Sequence, residues 1–354
     1  MPANLSPEYK AAEAAFRATR EPHERLGCLR EMLRTIPKHK GTEHLQADIK
    51  ARIKELGEQL ESGKKGTAHG GPALVIRPEG AAQVVLIGPP NSGKSALHDR
   101  LTASGAAVAP YPFTTQVPQP GMLPHENIQF QLLDLPPLSP DHPLPWLATT
   151  LQTADAALVV VDLTDADCVQ QLEAVHAMLA ERRVTLGAAW PADDPAAGGS
   201  DRNADRGDGI DSGGATGSDV FAVRLPALLL ANHADRVDDP AAELQALREL
   251  SGLRWPALAV SAATGRGLGD IGPWLFRQLA IVRVYTKVPG HPAERERPFA
   301  LRRGQTVGDV ARLVHRDLAR TLRYARLWGP SGFDGQQVGP EHRVADGDVI
   351  ELHT

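Results

Sequence analysis

The chain has 354 residues, of which 42% are hydrophobic, and a net charge of −5. This length favours two or three domains with real hydrophobic cores, and no apolar run approaches the ~18 residues that cross a membrane. Residues 1–10 lack the apolar segment of a signal peptide, and the two distant cysteines, Cys28 and Cys168, do not indicate a disulfide framework or a cysteine metal site, so a soluble, cytoplasmic protein without membrane association is expected.

Residues 1–71 are predicted to form an N-terminal helical region followed by a linker. Ser6 and Pro7 have the pattern of a helix start, and a second helix is predicted over 22–36. A third helix is indicated by apolar residues at helical spacing, namely Leu45, Ile49, Ile53, Leu56 and Leu60. Its basic residues lie off this apolar face and form either a solvated surface or a contact for RNA. The segment GKKGTAHGG, residues 63–71, has the composition of a linker.

From Gln83 onward, short apolar strands alternate with helices, which predicts an α/β domain with a parallel sheet and helices on both faces. The predicted strands are 83–87, 128–134, 157–162, 226–231 and 257–260. The segment 191–219 contains seven glycines, seven aspartates and no aromatic residue, and we expect it to be a disordered surface insertion. The domain as a whole is assigned to residues 72–280.

Residues 281–354 are predicted to form a small sheet packed on one helix, with strands at 281–286, near 324–328 and near 349–352. Thr306 and Asp309 resemble a capping box at the start of that helix. The apolar side of the helix would carry Val310, Leu313, Val314 and Leu318. The opposite side would present a row of arginines that is either solvated or in contact with RNA phosphates, namely Arg312, Arg316 and Arg320.

A glycine-rich motif, GPPNSGKS, occupies residues 88–95 between a predicted strand and a predicted helix. This context predicts a phosphate-binding loop, because glycines let successive backbone N–H groups and the helix N-terminus face phosphate oxygens. Lys94 would neutralise the β- and γ-phosphates, and Ser95 would bind Mg²⁺. The predicted nucleotide contacts of this loop are Gly88, Pro89, Pro90, Asn91, Ser92, Gly93, Lys94, Ser95 and Ala96.

The sequence ANHAD, which follows the strand predicted at 226–231, stands where GTPases carry N-K-x-D and predicts specificity for guanine. The carboxylate of Asp235 would accept hydrogen bonds from guanine N1–H and N2–H₂, a pair of donors that adenine lacks. Asn232 would hold the loop, and His233 would stack beside the base in place of the usual lysine. After the next strand the motif SAATG supplies Ser261, Ala262 and Ala263, and the N–H of Ala262 would reach guanine O6.

Two further positions are predicted to complete a magnesium site. In a proline-bounded loop, Thr115 is preferred over Thr114 as the residue that contacts Mg²⁺ when γ-phosphate is present. At the end of a strand, Asp134 would hold the ion through water. Pro137 replaces the usual glycine of D-x-x-G and has no N–H to donate to γ-phosphate. Phosphate binding is expected to survive this change, whereas coupling of the loop to γ-phosphate is in doubt.

The order of these motifs resembles the Obg/DRG branch of GTPases, and the segments VRVYTKVPGHP, GQTVGDVARLVHRDL and DGDVIEL resemble a TGS domain, a small β-grasp module assigned to 281–354. The most similar subset is the bacterial TGS-domain GTPases described as ribosome-binding. The resemblance implies binding of GTP and GDP with Mg²⁺, slow hydrolysis without a catalytic glutamine, and association with the ribosome or structured RNA without DNA specificity. Leu138 stands where that glutamine would be. The resemblance also implies a K⁺ ion bound with help from Asn91, for which a loop-stabilising hydrogen bond is the alternative.

Two functional hypotheses remain open. The first is a Mg²⁺-dependent, K⁺-stimulated GTPase with Asn91, Lys94 and Thr115 as its catalytic residues, whose nucleotide state regulates contact with ribosomal or other structured RNA. The second is a guanine-nucleotide-binding RNA or ribosome adaptor with little or no hydrolysis. A phosphate-loop enzyme that uses ATP is disfavoured by Asp235.

Overall fold

The computed structural model describes residues 6–19, 21–37, 42–62, 76–102, 117–139, 144, 146–193 and 221–354. The chain divides into two compact units. The first comprises Met1–Arg77 and Ser200–Ala222, and the second comprises Pro78–Gly199 and Val223–Thr354. The predicted linker at 63–71, Thr114 and Thr115 lie outside the described residues. In the described part of the chain, no helix combines the length and the apolar character needed to span a bilayer.

The described residues of the first unit form three helices, and each agrees with its prediction: α1 (Pro7–Ala18), α2 (Pro22–Thr35) and α3 (Glu43–Ser62). The Oγ of Ser6 accepts the N–H of Tyr9 at 3.1 Å, which caps α1. Apolar residues of all three helices form one core, including Phe16, Met32 and Ile49. Phe221 belongs to the same core although it is distant in sequence, and its ring meets the edge of Phe16 with 6.1 Å between centroids.

The second unit begins with an α/β sheet, as predicted. Its elements in chain order are β1 (Ala82–Ile87), α4 (Lys94–Thr102), β2 (Gln119–His125), β3 (Ile128–Asp134), α5 (Leu147–Thr153), β4 (Ala156–Asp162), α6 (Cys168–Glu181), β5 (Val184–Gly187), β6 (Val223–Asn232), α7 (Pro240–Ser251), β7 (Ala257–Ala259) and α8 (Ile271–Gln278). The strand order is β2-β3-β1-β4-β6-β5, and β7 also pairs with β6. Every pairing is parallel except β2 with β3.

Both faces of this sheet are buried, which explains why its strands read as continuous apolar runs. In β1, Val84 and Leu86 point to one face while Val85 and Ile87 point to the other, and all four side chains are fully buried. The sequence did not predict β2 or β5. The sequence of β2, QPGMLPH, contains two prolines and a glycine, which are tolerated there because β2 is an edge strand. The four residues of β5 are too few to give a periodic signal.

The predicted disordered insertion begins too early. Residues Pro191–Asp193 form a short 3-10 helix, and the carboxylate of Asp193 accepts the N–H of Trp190 at 2.8 Å. Trp190 is buried and meets the ring of Trp274 edge-on, with 4.5 Å between centroids. The prediction is therefore wrong for the first three residues of the segment. Residues 194–219 lie outside the described part of the chain.

The C-terminal part of the second unit is a five-stranded sheet of order β11-β10-β12-β8-β9. Its elements are β8 (Ile281–Thr286), β9 (Phe299–Arg302), α9 (Val307–Val314), α10 (Arg316–Thr321), β10 (Tyr324–Trp328), β11 (Gln336–Val338) and β12 (Asp348–His353). The predicted capping box is present, because Thr306 accepts the N–H of Asp309 and Asp309 accepts that of Thr306. The sequence did not predict β9 and β11, which are short.

The prediction of a single helix after Thr306 is wrong, since the helix is interrupted at His315. The backbone of His315 is extended, with φ −164° and ψ 137°, and its Nδ1 accepts the N–H of Asp317 at 3.2 Å to start α10. Arg312 lies on α9 and Arg320 on α10, so the predicted row of arginines on one helix face does not form. Leu313 is 53% exposed rather than on a buried face.

Candidate functional site

The predicted site residues follow the carboxyl ends of parallel strands. Strands β1, β3, β4, β6 and β7 run in one direction, so their carboxyl ends meet at one edge of the sheet. In α/β folds, ligands bind outside this edge. The residues that end or follow these strands are Gly88, Asp134, Asp162, Asn232 and Ser261.

The glycine-rich loop leaves β1 and leads into α4, as its motif predicts. Two of its glycines are required by close approach of other groups. A Cβ on Gly88 would lie 2.3 Å from the carbonyl oxygen of Val160, and a Cβ on Gly93 would lie 2.2 Å from Nδ2 of Asn232. Gly93 also has a φ of +84°, which favours glycine. These contacts pack the loop tightly against β4 and β6.

The backbone donors of this loop come from its second half. Pro89 and Pro90 have no N–H, so after Gly88 the next N–H groups available for phosphate begin at Asn91 and lead toward the N-terminus of α4. The carbonyl of Pro89 accepts hydrogen bonds from Ser92 Oγ at 3.0 Å and from Lys94 Nζ at 2.8 Å. Ser92 and Lys94 thus hold the loop in its curved shape from inside.

Lys94 lies deep in the loop, with 5% of its surface exposed. Burial disfavours the ammonium form and lowers the pKa of Lys94 to about 8, although Asp134 counteracts part of this effect. A phosphate group placed within the loop would restore the cation by supplying negative charge. The charged form of Lys94 is therefore one that a bound phosphate would stabilise.

Ser95 and Asp134 lie together, as the predicted magnesium site requires. The Oγ of Ser95 donates to Oδ2 of Asp134 at 2.6 Å. The other carboxylate oxygen, Oδ1, is buried and has no hydrogen-bond partner among the described residues. Burial raises the pKa of Asp134 despite the hydrogen bond from Ser95. A hydroxyl beside a carboxylate with a free oxygen matches the oxygen ligands of Mg²⁺, so these two residues fit the ion. The third predicted ligand, Thr115, lies outside the described residues.

The loop that follows β3 is attached to the phosphate loop by its backbone. The N–H of Leu138 donates to the carbonyl of Gly88 at 3.1 Å, and the N–H of Leu135 donates to the carbonyl of Leu86 at 3.2 Å. The side chain of Leu138 is buried, with 3% exposed, while Pro137 is exposed. The position where other GTPases carry a catalytic glutamine therefore presents no side chain to a nucleotide.

Asn232 connects the loops that were predicted to hold the base. Its Nδ2 donates to the carbonyl of Ser92 at 3.1 Å, and its Oδ1 accepts the N–H of Ala262 at 3.2 Å. Asn232 is completely buried. One side chain thus joins the phosphate loop, the loop after β6 and the loop after β7. The N–H of Ala262, which was predicted to reach guanine O6, donates to Asn232 in this structure.

The acceptor predicted for guanine is exposed and anionic. A hydrogen bond from the Ser261 hydroxyl holds the pKa of Asp235 below its ordinary value. The same hydroxyl oxygen accepts the N–H of Thr264 at 3.1 Å, which orders the SAATG turn. Ala263 is exposed beside it. Asp235 is therefore exposed and able to accept hydrogen bonds from a base.

The sequence did not reveal the partner of His233. Its Nδ1 lies 2.8 Å from Oδ1 of Asp162, the last residue of β4. Asn91, on the phosphate loop, has a φ of +60°, a left-handed conformation that asparagine tolerates better than most residues. Its side chain is exposed, so the structure brings Asn91 to the rim of the loop without assigning it a ligand.

Comparison with known proteins identifies both parts of the second unit. Residues 83–188 match the family described as 50S ribosome-binding GTPase, and residues 282–354 match the TGS domain.

Relatives extend over nearly the whole chain. An uncharacterized GTP-binding protein of Halobacterium salinarum is 28% identical over 93% of this chain and 98% of its own. A similar protein of Methanocaldococcus jannaschii is 28% identical over 93% and 92%. Developmentally-regulated GTP-binding protein 2 of Mus musculus is 26% identical over 91% and 96%.

Among solved structures, the G domain of the T. maritima FeoB iron transporter aligns at 20% identity and a TM-score of 0.33, covering 54% of this chain and 94% of that one, which is too distant to support an inference. The two domain matches and the relatives agree with the geometry of the site. The chain carries a GTPase domain followed by a C-terminal TGS domain, and over nearly its whole length it is similar to GTP-binding proteins of the developmentally-regulated type.

Proposed function

We propose that this protein hydrolyses GTP slowly with Mg²⁺ and associates with the ribosome or another structured RNA through its TGS domain. Such a partner would place it in the cytoplasm. The observation that carries the nucleotide part of the proposal is the buried side chain of Asn232, which joins three loops around one edge of the sheet. The description of the matching GTPase family and the presence of a TGS domain support the ribosomal part.

Each candidate residue has a proposed role. The N–H groups of the loop from Asn91 to Ala96 and the ammonium of Lys94 would bind the phosphates. The side chains of Ser95 and Asp134, with Thr115, would hold Mg²⁺. When bound, Mg²⁺ supplies positive charge to the β- and γ-phosphate oxygens during phosphoryl transfer. Asp235 would select guanine, because its carboxylate can accept both N1–H and N2–H₂.

Slow turnover follows from what surrounds the phosphate loop. A buried Leu138 cannot orient a water molecule, so the chain's own contribution to hydrolysis would be limited to Lys94, the loop N–H groups and the exposed rim residue Asn91. A K⁺ ion held near Asn91 would add positive charge beside the transferred phosphoryl group, as an arginine finger does in other GTPases. We also propose the three-domain scheme of 1–71, 72–280 and 281–354.

The alternative proposal is a guanine-nucleotide-binding adaptor that hardly hydrolyses GTP. The hydrogen bond from Leu138 N–H to Gly88 favours it, because this bond already occupies the backbone next to Pro137. A loop that is attached to the phosphate loop and lacks an N–H at Pro137 has less to gain from γ-phosphate.

Single-turnover hydrolysis of GTP by the purified chain would separate the two proposals. The reaction is measured with Mg²⁺ in K⁺ and then in Na⁺, with the Lys94→Ala variant as the blank. A GTPase is expected to show a rate above the blank that is higher in K⁺ and is lost from Asn91→Ala. Hydrolysis rates equal to that of the blank in both salts would instead support the adaptor proposal.

Base recognition and partner binding need separate measurements. Asp235→Asn is expected to weaken GDP binding and to favour xanthosine diphosphate, because xanthine carries an oxygen in place of the 2-amino group and can accept from the new amide. Unchanged preference for GDP would refute the role of Asp235. Co-sedimentation of the full chain with ribosomes, with a non-hydrolysable GTP analogue or with GDP, tests the association, which is expected to be stronger with the analogue.

A further inference from the structure

The contact between His233 and Asp162 lies at the edge of the sheet where the nucleotide is expected. Residues Asp162 and Asn232 are direct partners in the parallel register of β4 and β6. His233 follows Asn232 and has a φ of +62°, which turns its side chain back toward β4. Its Nδ1 then lies 2.8 Å from Oδ1 of Asp162, and both side chains are less than one fifth exposed.

The imidazole lies between β4 and the phosphate loop. While Nδ1 faces Asp162, Nε2 on the other edge of the ring lies 3.8 Å from the Cβ position of Gly93. A carboxylate beside Nδ1 favours the ring form with a proton on that nitrogen. The ring therefore lies against Asp162 at the point where the GTPase motif N-K-x-D places its lysine.

Asp162 is itself held in place and charged. Its Oδ1 also accepts the N–H of Thr164 at 2.8 Å and the hydroxyl of Thr164 at 2.7 Å. Burial alone would raise the pKa of Asp162, but the hydrogen bonds from Thr164 and the nearby His233 ring outweigh burial, so that the pKa lies below its ordinary value. The carboxylate is consequently anionic at neutral pH and provides a fixed acceptor for the ring.

We propose that Asp162 is a positioning residue for guanine-nucleotide binding, which acts by holding the His233 ring beside the phosphate loop. A lysine reaches this region with a long flexible stem, whereas a histidine is shorter and needs a second group to set its orientation. Asp162 supplies that group. The proposal rests on the nucleotide site described above and adds to it a residue from β4 that lies outside the recognised motifs.

A double-mutant cycle with GDP and Mg²⁺ tests this proposal by isothermal titration calorimetry. Asp162→Asn is expected to weaken GDP binding about threefold to tenfold, which lies within the range for one ordinary net hydrogen bond. In the His233→Ala background the same change is expected to have less than about a twofold effect, because the group that Asp162 acts through is absent. Asp165→Asn, which changes another carboxylate of the same turn whose partners are Asp167 and Gln171, is the matched control and is expected to leave GDP affinity unchanged.

The outcomes separate the proposal from the function on which it rests. An equal loss for Asp162→Asn with and without His233, or the same loss in Asp165→Asn, would show that Asp162 merely shapes the turn and would overturn the proposal. If Asp162→Asn does not fold, as judged by circular dichroism, His233→Ala alone decides, since wild-type affinity in that variant overturns the proposal. Asp235→Asn is titrated in parallel. If it also binds GDP like the wild type, the proposed base site has failed rather than the role of Asp162.

Discussion

Replacement of Arg302 by alanine is expected to destabilise the second unit, because it removes a cation that lies against a buried carboxylate. Arg302 is the last residue of β9, and its Nη2 lies 3.0 Å from Oδ1 of Asp155, just before β4. The two side chains are 13% and 2% exposed. Nη1 of Arg302 also donates to the carbonyl of Leu279 at 2.8 Å. This ion pair therefore joins the TGS sheet to the sheet of the GTPase domain.

The structure sets the size of the effect. Removal of one partner of a buried ion pair costs about 3–5 kcal/mol. The backbone N–H of Gln83 donates to Oδ2 of Asp155 at 2.9 Å and still stabilises the anion after the substitution. The expected loss is therefore at the lower end, about 3 kcal/mol. A variant that combines Asp155→Asn with Arg302→Met is expected to lose less than Arg302→Ala alone, because both charges of the buried pair are removed together.

Urea denaturation followed by tryptophan fluorescence measures this loss of stability in the second unit. All five tryptophans belong to the second unit, namely Trp146, Trp190, Trp255, Trp274 and Trp328. The neighbouring Arg303 is exposed, and Arg303→Ala is expected to change the free energy of unfolding by less than about 0.5 kcal/mol. The reasoning is refuted if Arg302→Ala loses no more than Arg303→Ala, or if the double variant loses more than Arg302→Ala.

Three further outcomes are expected. Because the pKa of Lys94 is about 8 and phosphate requires the cation, GDP affinity should fall about fourfold between pH 7 and 8.5, and Lys94→Arg should abolish this slope in calorimetry. Asp134→Asn should remove most of the Mg²⁺ dependence of GDP binding, measured by titration with and without EDTA; an unchanged dependence would contradict its role. Phe221→Ala should destabilise the helical unit by about 3–5 kcal/mol in thermal melts, whereas the exposed Phe333→Ala should cost less than about 0.5 kcal/mol.

The phosphate loop could be predicted from the sequence because its motif and its flanking strand and helix all specify the same local structure. The buried strands were predictable for a related reason: a sheet covered on both faces needs continuous apolar runs, as β4 shows. Strand β2 was not predictable, since Pro120 and Pro124 argue against a strand unless its position at the edge is known. The local sequence pattern thus predicts a helix or strand only when that pattern does not depend on where the element lies in the sheet.

Contacts between segments that are distant in the chain could not be predicted from the sequence. The contact of His233 with Asp162 depends on the register of β4 and β6, which pairs Asp162 with Asn232. Phe221 reads as an ordinary apolar residue before β6, and only the fold shows that it completes the core of α1 and α3. The helix break at His315 depends on a side chain that caps α10 in place of continued helical hydrogen bonds. Each of these features depends on a contact that the local periodicity of apolar residues does not reveal.

Three prolines limit which backbone N–H groups of this site could bind a nucleotide. Pro89 and Pro90 remove N–H donors from the first half of the phosphate loop, and Pro137 removes the donor that other GTPases direct at γ-phosphate. The remaining donors lie at the N-terminus of α4, next to Lys94, where they would face the β-phosphate that GDP and GTP share. Most of the binding free energy would then be common to both nucleotides. Any difference between the two states would have to come from Mg²⁺ at Asp134 and from the loop that contains Thr115.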